Sequence, residues 1–270
     1  MLRNVDLHVP AGEHLAVVGP SGIGKSILAG LLCGLLRPVA GAVQVGGRPA
    51  ADLAAILRAD ELAAVRMLIP QEAYVFAGTV WANLTYLRPA ATAEQVASAV
   101  AAVGAGALVA RLGGPSAEVR PAELSAGGPQ LLALARAYLS AARVVVLDEA
   151  TCHLDPAAER QAELAFAAQG GTLVVIVHRV SSALRADRIL VLDGSAVTVG
   201  EHQALVSSSP LYRELLGHWQ ARPLTAAPVP DGPTAPDGPA VANGSAAPNG
   251  PAAPDGAVPV ASAGQIHPEC

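Results

Sequence analysis

An octapeptide, GPSGIGKS, runs from Gly19 to Ser26 and shares its first glycine with the apolar segment HLAVVG at 14–19. It fits G-x-x-x-x-G-K-[ST], and apolar residues recur at helical spacing after it. A buried strand, a glycine-rich turn and a helix start, in that order, leave few architectures open. The turn's N–H groups and the helix dipole converge on one point and suit phosphate. The whole loop (Gly19, Pro20, Ser21, Gly22, Ile23, Gly24, Lys25 and Ser26) is therefore read as the cradle of a nucleoside triphosphate. Lys25 is expected to reach the β- and γ-phosphates, and Ser26 to offer its hydroxyl to Mg2+. Composition sharpens this reading: of 17 basic residues, Lys25 is the only lysine. A chain that otherwise uses arginine keeps a slim ammonium where a planar guanidinium would not fit.

The pattern around this loop is that of an α/β domain, with short β-rich runs alternating with helical stretches over 1–220. Strands are expected at 14–19, 41–47, 65–70, 143–149, 172–178 and 188–194, with a helix over about 25–36. From about 80 to 141 the sequence turns alanine-rich and helical. The run RVVVLDE brings Asp148 and Glu149 to the carboxyl end of a buried strand, the edge at which open α/β sheets bind ligands. Asp148 suits Mg2+ through water, completing an oxygen shell with Ser26 and phosphate. Glu149 is placed to polarise an attacking water.

Charge and composition exclude several classes. The net charge is −5, and arginines are not clustered as a nucleic-acid surface requires, so no nucleic-acid partner is expected. No run approaches the roughly 20 apolar residues of a membrane-spanning helix. The first residues, MLRNVDLHVP, lack the order of a signal peptide. Cys33, Cys152 and Cys270 are too few and too far apart for a disulfide framework or a zinc site. From 221 to 270 the sequence becomes loose repeats of Pro, Ala, Gly, Asp and Asn, a composition expected to be disordered.

Taken together, these residues resemble the nucleotide-binding domain of an ABC transporter over essentially all of 1–220. The phosphate loop matches Walker A, and Val144–Glu149 matches Walker B with its catalytic glutamate. IPQEAYVFAGTVWANL looks like the Q-loop region, with Gln71 at the glutamine position. LSAGGPQLLALARA (124–137) resembles the ABC signature and the helix after it. DEATCHLD (148–155) looks like the D-loop, with Asp155 at its acid, and VHRVSSALRADRILVLDG resembles the switch region, with His178 as its histidine.

The fold this implies is an α/β P-loop NTPase of the ABC type. It has a mainly parallel core sheet, a small antiparallel β part and a helical subdomain inserted at about 80–141. The implied chemistry is hydrolysis of ATP with Mg2+ by a homodimer or heterodimer, each ATP lying between one subunit's phosphate loop and the other's signature. Gln71 then touches Mg2+ or the attacking water, and His178 contacts the γ-phosphate and holds Glu149 and the water in register. Ser125 and Gly127 start a helix (about 126–141) whose N–H groups suit a γ-phosphate. The partner is a membrane domain, so the expected place is the cytoplasmic face of the cell membrane. YVFAGTVWANL resembles exporter-type members, although Phe76, Trp81 and Leu84 can equally pack the helical subdomain. An alternative left open is a catalytically degenerate module that regulates a partner ATPase.

The sequence departs from the family pattern in places. Only 18 residues precede Gly19 and none is Phe, Trp or Tyr, so the family's N-terminal strand and adenine-stacking aromatic are expected to be missing. The signature reads LSAGG, with Ala126 and Gly128 where a glycine and a glutamine are usual, and Pro129 follows. Cys152 and His153 replace small residues in the D-loop. Two adjacent residues without further ligands do not make a metal site.

Overall fold

The computed structural model describes residues 2–177, 179–194 and 196–221. Its centre is a six-stranded sheet. In chain order the strands are β1 (His14–Val18), β2 (Arg66–Ile69), β3 (Val144–Asp148), β4 (Thr172–Ile176), β5 (Arg188–Asp193) and β6 (Ala196–Gly200). They lie in the order β6-β5-β1-β4-β3-β2. All neighbours are parallel except β5 and β6, which pair antiparallel. β1 and β4 are buried along their whole length, which is why HLAVV and TLVVI read as near-continuous apolar runs rather than alternating ones.

Register places the site. Val17 pairs with Ile176, Val18 with Val191, and Asp148 with Ile176, so β1, β3, β4 and β5 finish on one edge. The turns that leave this edge carry the phosphate loop, Glu149 and the segment after β4.

The chain forms helices α1 (Lys25–Leu32), α2 (Val80–Thr85), α3 (Ala93–Ala102), α4 (Gly106–Leu112), α5 (Gly128–Ser140), α6 (Pro156–Ala168), α7 (His202–Ser208) and α8 (Pro210–Ala221); further helical segments lie at Leu53–Ile56, Ala59–Val65 and Val180–Ala183. α1 ends four residues earlier than expected. Gly34 takes a left-handed backbone (φ +59°), and a Cβ there would stand 2.1 Å from the Ala50 carbonyl oxygen, so the chain turns away and leaves Leu35 and Leu36 exposed. The expected strand at 41–47 reduces to Gln44–Val45, paired with Arg48–Pro49 in a separate two-stranded ribbon. The stretch 80–141 holds α2 to α5, interrupted by Glu118–Val119, which pairs with Gly78–Thr79. Capping explains two of the starts. Thr92 and Gln95 form a reciprocal capping box at α3, and the Asp155 carboxylate caps α6 by accepting from Ala157 and Ala158 N–H at 2.9 and 3.0 Å.

One face of the sheet packs against α3, α5 and α6 through Leu132, Leu134, Leu147, Phe166 and Leu173. The other packs against α1 through Leu15, Val17, Leu28, Val146 and Ile176. Each such side chain contributes about 1.5–3 kcal/mol of transfer free energy. No single helix among the described residues is long and apolar enough to cross a membrane. The expected tail lies, from 222 onward, outside the described residues.

Candidate nucleotide site

The loop between β1 and α1 is built for close approach. Gly24 stands at the helix N-cap with φ +112°, a conformation that costs an L side chain roughly 1–2 kcal/mol. A Cβ on Gly24 would also press to 3.2 Å on Leu2, whereas one on Gly22 would meet nothing within 4 Å. The loop is thus backed by apolar packing on one side and open on the other. Lys25 Nζ folds over it and donates to the carbonyl oxygens of Gly19 and Pro20 at 2.9 and 3.1 Å.

Across the sheet edge, Ser26 Oγ donates to Asp148 Oδ1 at 3.1 Å. Burial lifts the Asp148 carboxyl above its ordinary range, against the Ser26 hydrogen bond; Glu149 raises it further while Lys25 lowers it. Burial likewise lowers the Lys25 ammonium, and Glu149 and Asp148 oppose that shift. These four side chains therefore form one electrostatic group. Glu149 adopts a left-handed backbone (φ +51°), one of few non-glycine residues to do so here. Strain of this kind concentrates where a side chain must be aimed against local preference. The donor set fits Mg-ATP: a hydroxyl and a carboxylate in mutual contact suit a hard divalent cation, and the open loop with its lysine suits polyphosphate.

The remaining expected residues fall into two sets. Gln71 is exposed just beyond β2, next in the sheet to β3. Ser125 and Asp155 are also exposed, and Gly127 caps the start of α5. Among the described residues no hydrogen bond or ion pair joins Ser125, Gly127 or Asp155 to the phosphate loop. Gly127 is instead packed on the turn after β3, where a Cβ would sit 3.1 Å from the His153 carbonyl oxygen. His178 lies outside the described residues, two positions beyond the end of β4. No group of three or more His, Cys, Asp or Glu able to hold a metal occurs among the described residues, so Cys152 and His153 stand as a pair only.

Sequence reasoning assigned no structural role to several residues that tie the surrounding segments together. Asn83 is fully buried; its side chain accepts from Phe76 N–H at 3.1 Å and donates to the Phe76 carbonyl at 2.9 Å, while Arg136 Nε donates to the Asn83 backbone carbonyl at 2.7 Å. The Arg136 guanidinium also lies over the rings of Phe76 and Tyr86. A second group, Glu159 and Glu163 of α6 with Arg179 and Arg185, ties the chain after β4 to the start of α6. In it Arg179 donates to Glu159 at 2.6 Å and to the Leu154 carbonyl at 3.3 Å. An Asn or Arg in an alanine-rich stretch gives no local signal of such contacts.

A mainly parallel sheet with a phosphate loop, a hydroxyl–carboxylate pair and a glutamate at one edge defines a P-loop nucleoside triphosphatase, here with a helical insertion between β2 and β3. Comparison with known proteins carries this further. The family model described as ABC transporter matches residues 2–152. The ABC transporter ATP-binding protein RamB of Streptomyces coelicolor is 57% identical over 221 residues, covering 82% of this chain and 36% of that protein. The ATP-dependent lipid A-core flippase of Chromobacterium violaceum is 39% identical over 220 residues, covering 79% of this chain and 37% of that protein. A solved bacterial Atm1-family ABC exporter with ATP bound superposes with a TM-score of 0.71 at 33% identity, over 80% of this chain and 38% of that one. The chain belongs to the ABC transporter family, as an ATP-binding, ATP-hydrolysing domain. It spans only about a third of the length of these relatives.

Proposed function

We propose that this domain powers an exporter, working as a homodimer or heterodimer beneath a transmembrane domain on the cytoplasmic face of a membrane. The observation that supports it most is the Ser26–Asp148 contact under the phosphate loop, with Lys25 and Glu149 in the same electrostatic group. Lys25, held here by two loop carbonyls, exchanges them for oxygens of the β- and γ-phosphates. Ser26, Asp148 and Gln71 hold Mg2+, which neutralises phosphate charge when bound. Glu149 orients the attacking water and accepts its proton. His178 keeps that water and the γ-phosphate in register.

Ser125, Gly127 and Asp155 serve the phosphate loop of the partner subunit, in keeping with their lack of polar contact with their own. In the first turn of α5 Pro129 has no N–H and Gly128 N–H is given to the Ser125 carbonyl at 2.8 Å, so that role falls to the Ser125 hydroxyl and the remaining N–H groups of the turn. Export rather than import is favoured by YVFAGTVWANL and by relatives named as a flippase and as an exporter. The degenerate-module alternative is not favoured, since Glu149 stands with Lys25 and Asp148.

Glu149→Gln tests the assignment. It should retain Mg-ATP while hydrolysis falls about 100-fold or more, the usual contribution of a general base. Unchanged turnover would overturn the role of Glu149. A chain that gains no thermal protection from Mg-ATP, with Lys25→Ala indistinguishable from it, would overturn the site.

A further inference from the structure

The side-chain amide of Gln130 spans three segments that carry candidate site residues. Gln130 lies in the first turn of α5 and is 3% exposed. Its Nε2 donates to the Gln71 carbonyl at 2.9 Å and meets His153 Nδ1 at 3.0 Å. Both hydrogens of the amide are then used, which fixes His153 Nδ1 as an acceptor and puts the imidazole proton on Nε2. The amide oxygen, Oε1, is buried and has no hydrogen-bond partner. Burying a polar atom in that way is costly. The side chain is thus committed as a double donor at the expense of its own acceptor. Backbone packing points to the same junction: Gly127, at the start of α5, lies against His153 and Leu154.

Resting on the reading above, we propose that Gln130 is a positioning residue. It holds the loop of Gln71, the start of α5 with Ser125 and Gly127, and the turn leading to Asp155 as one unit that moves together when nucleotide binds. Glutamine is required at 130 because glutamate offers no amide hydrogens, and a carboxylate would face the Gln71 carbonyl and the His153 lone pair. The link is peculiar to a chain with an imidazole at 153, since an alanine or serine there would not reach.

Cys152 supplies a native reporter. Its thiol lies 3.2 Å from His153 Nδ1 and is half-buried, so its alkylation rate reads the state of this turn. The experiment measures alkylation of Cys152 by mass spectrometry with and without Mg-ATP, alongside Mg-ATP titration, in the wild type, Gln130→Met, His153→Leu and His153→Asn. In the wild type Mg-ATP should change the rate about three- to tenfold, the range of a modest coupling energy. Gln130→Met and His153→Leu should each abolish that change while Mg-ATP affinity stays within about twofold. His153→Asn, whose side-chain oxygen can accept near the position of Nδ1, should restore it. Combining Gln130→Met with His153→Leu should do no more than either alone.

A wild-type rate that ignores saturating Mg-ATP, or a Gln130→Met protein that responds as the wild type does, would overturn the proposal and leave the nucleotide site standing. Should the wild type bind no Mg-ATP, the site itself falls and the proposal with it. A Gln130→Met variant that loses thermal stability and nucleotide affinity together, with no rescue by His153→Asn, would show a packing role only and also overturn it.

Discussion

Ser26 and Asp148 are joined by a hydrogen bond across 122 residues of sequence, hydroxyl to carboxylate, at 3.1 Å. The contact links the first residues of α1 to the end of β3 at the shared sheet edge. Neither residue is needed for the core, because Ser26 is exposed and Asp148 half-buried. Ser26→Ala and Asp148→Asn should therefore leave thermal stability nearly unchanged. Both should remove about tenfold of the strengthening that Mg2+ gives to ATP binding, the usual scale for a lost metal contact. Titrating ATP with magnesium and then with excess chelator checks this, since without metal the variants and the wild type should converge.

Glu149 is held at φ +51°, where a side chain costs roughly 1–2 kcal/mol relative to glycine. Glu149→Gly should accordingly raise stability by about 1 kcal/mol while abolishing hydrolysis. The pairing of a gain with a loss separates a strained functional residue from a structural one. Chemical denaturation together with a phosphate-release assay measures the two effects; a destabilised variant would refute the strain.

What the sequence disclosed and what it hid divide along physical lines. The placement of GPSGIGKS, Asp148 and Glu149 at one sheet edge is legible because strand, turn and helix follow one another locally and each leaves its own pattern. Asp155 was read as a D-loop acid, and DPAAE is equally a helix start with Pro at its first position. The end of α1 was misjudged because Leu35 and Leu36 continue the apolar run, although Gly34 carried the stop signal. β6 was overlooked even though Asp193-Gly194 is followed by the alternating AVTVG. Gln130 was beyond reach: its partners Gln71 and His153 lie 59 and 23 residues away, and nothing local marks which glutamine will be buried between them.

The buried ionic group of α6 offers a sharper energetic test. Glu163 is fully buried and accepts from Ser182 and from Arg185, at 2.6 and 2.8 Å, while Arg185 also reaches Glu159 at 3.2 Å. Burial, with Glu163 beside it, already raises the Glu159 carboxyl, and Arg179 and Arg185 hold it down. Removing Arg185 leaves two nearby carboxylates to share one arginine. Arg185→Met, which keeps much of the aliphatic stem, should cost about 3–5 kcal/mol. Replacing Arg185, Glu159 and Glu163 together with apolar residues should cost far less than that single change. Denaturant midpoints for the single and triple variants decide the matter.

His14 gives the fold a pH dependence of definite sign. It opens β1, is buried, and its Nε2 has no hydrogen-bond partner. Burial lowers its pKa below the ordinary 6.5, and nearby Asp187 only partly offsets this. The unfolded chain takes up a proton near 6.5, whereas the folded chain does so only at lower pH. The stabilisation is therefore fully present above the unfolded value and is lost as pH falls toward the folded one. Lowering the pH from about 8 to about 5.5 should reduce the thermal midpoint of the wild type more than that of His14→Leu, which has no proton to take up at this position. Parallel midpoints over that interval measure the difference; equal slopes would show that His14 titrates alike in both states, and that its burial carries no linkage.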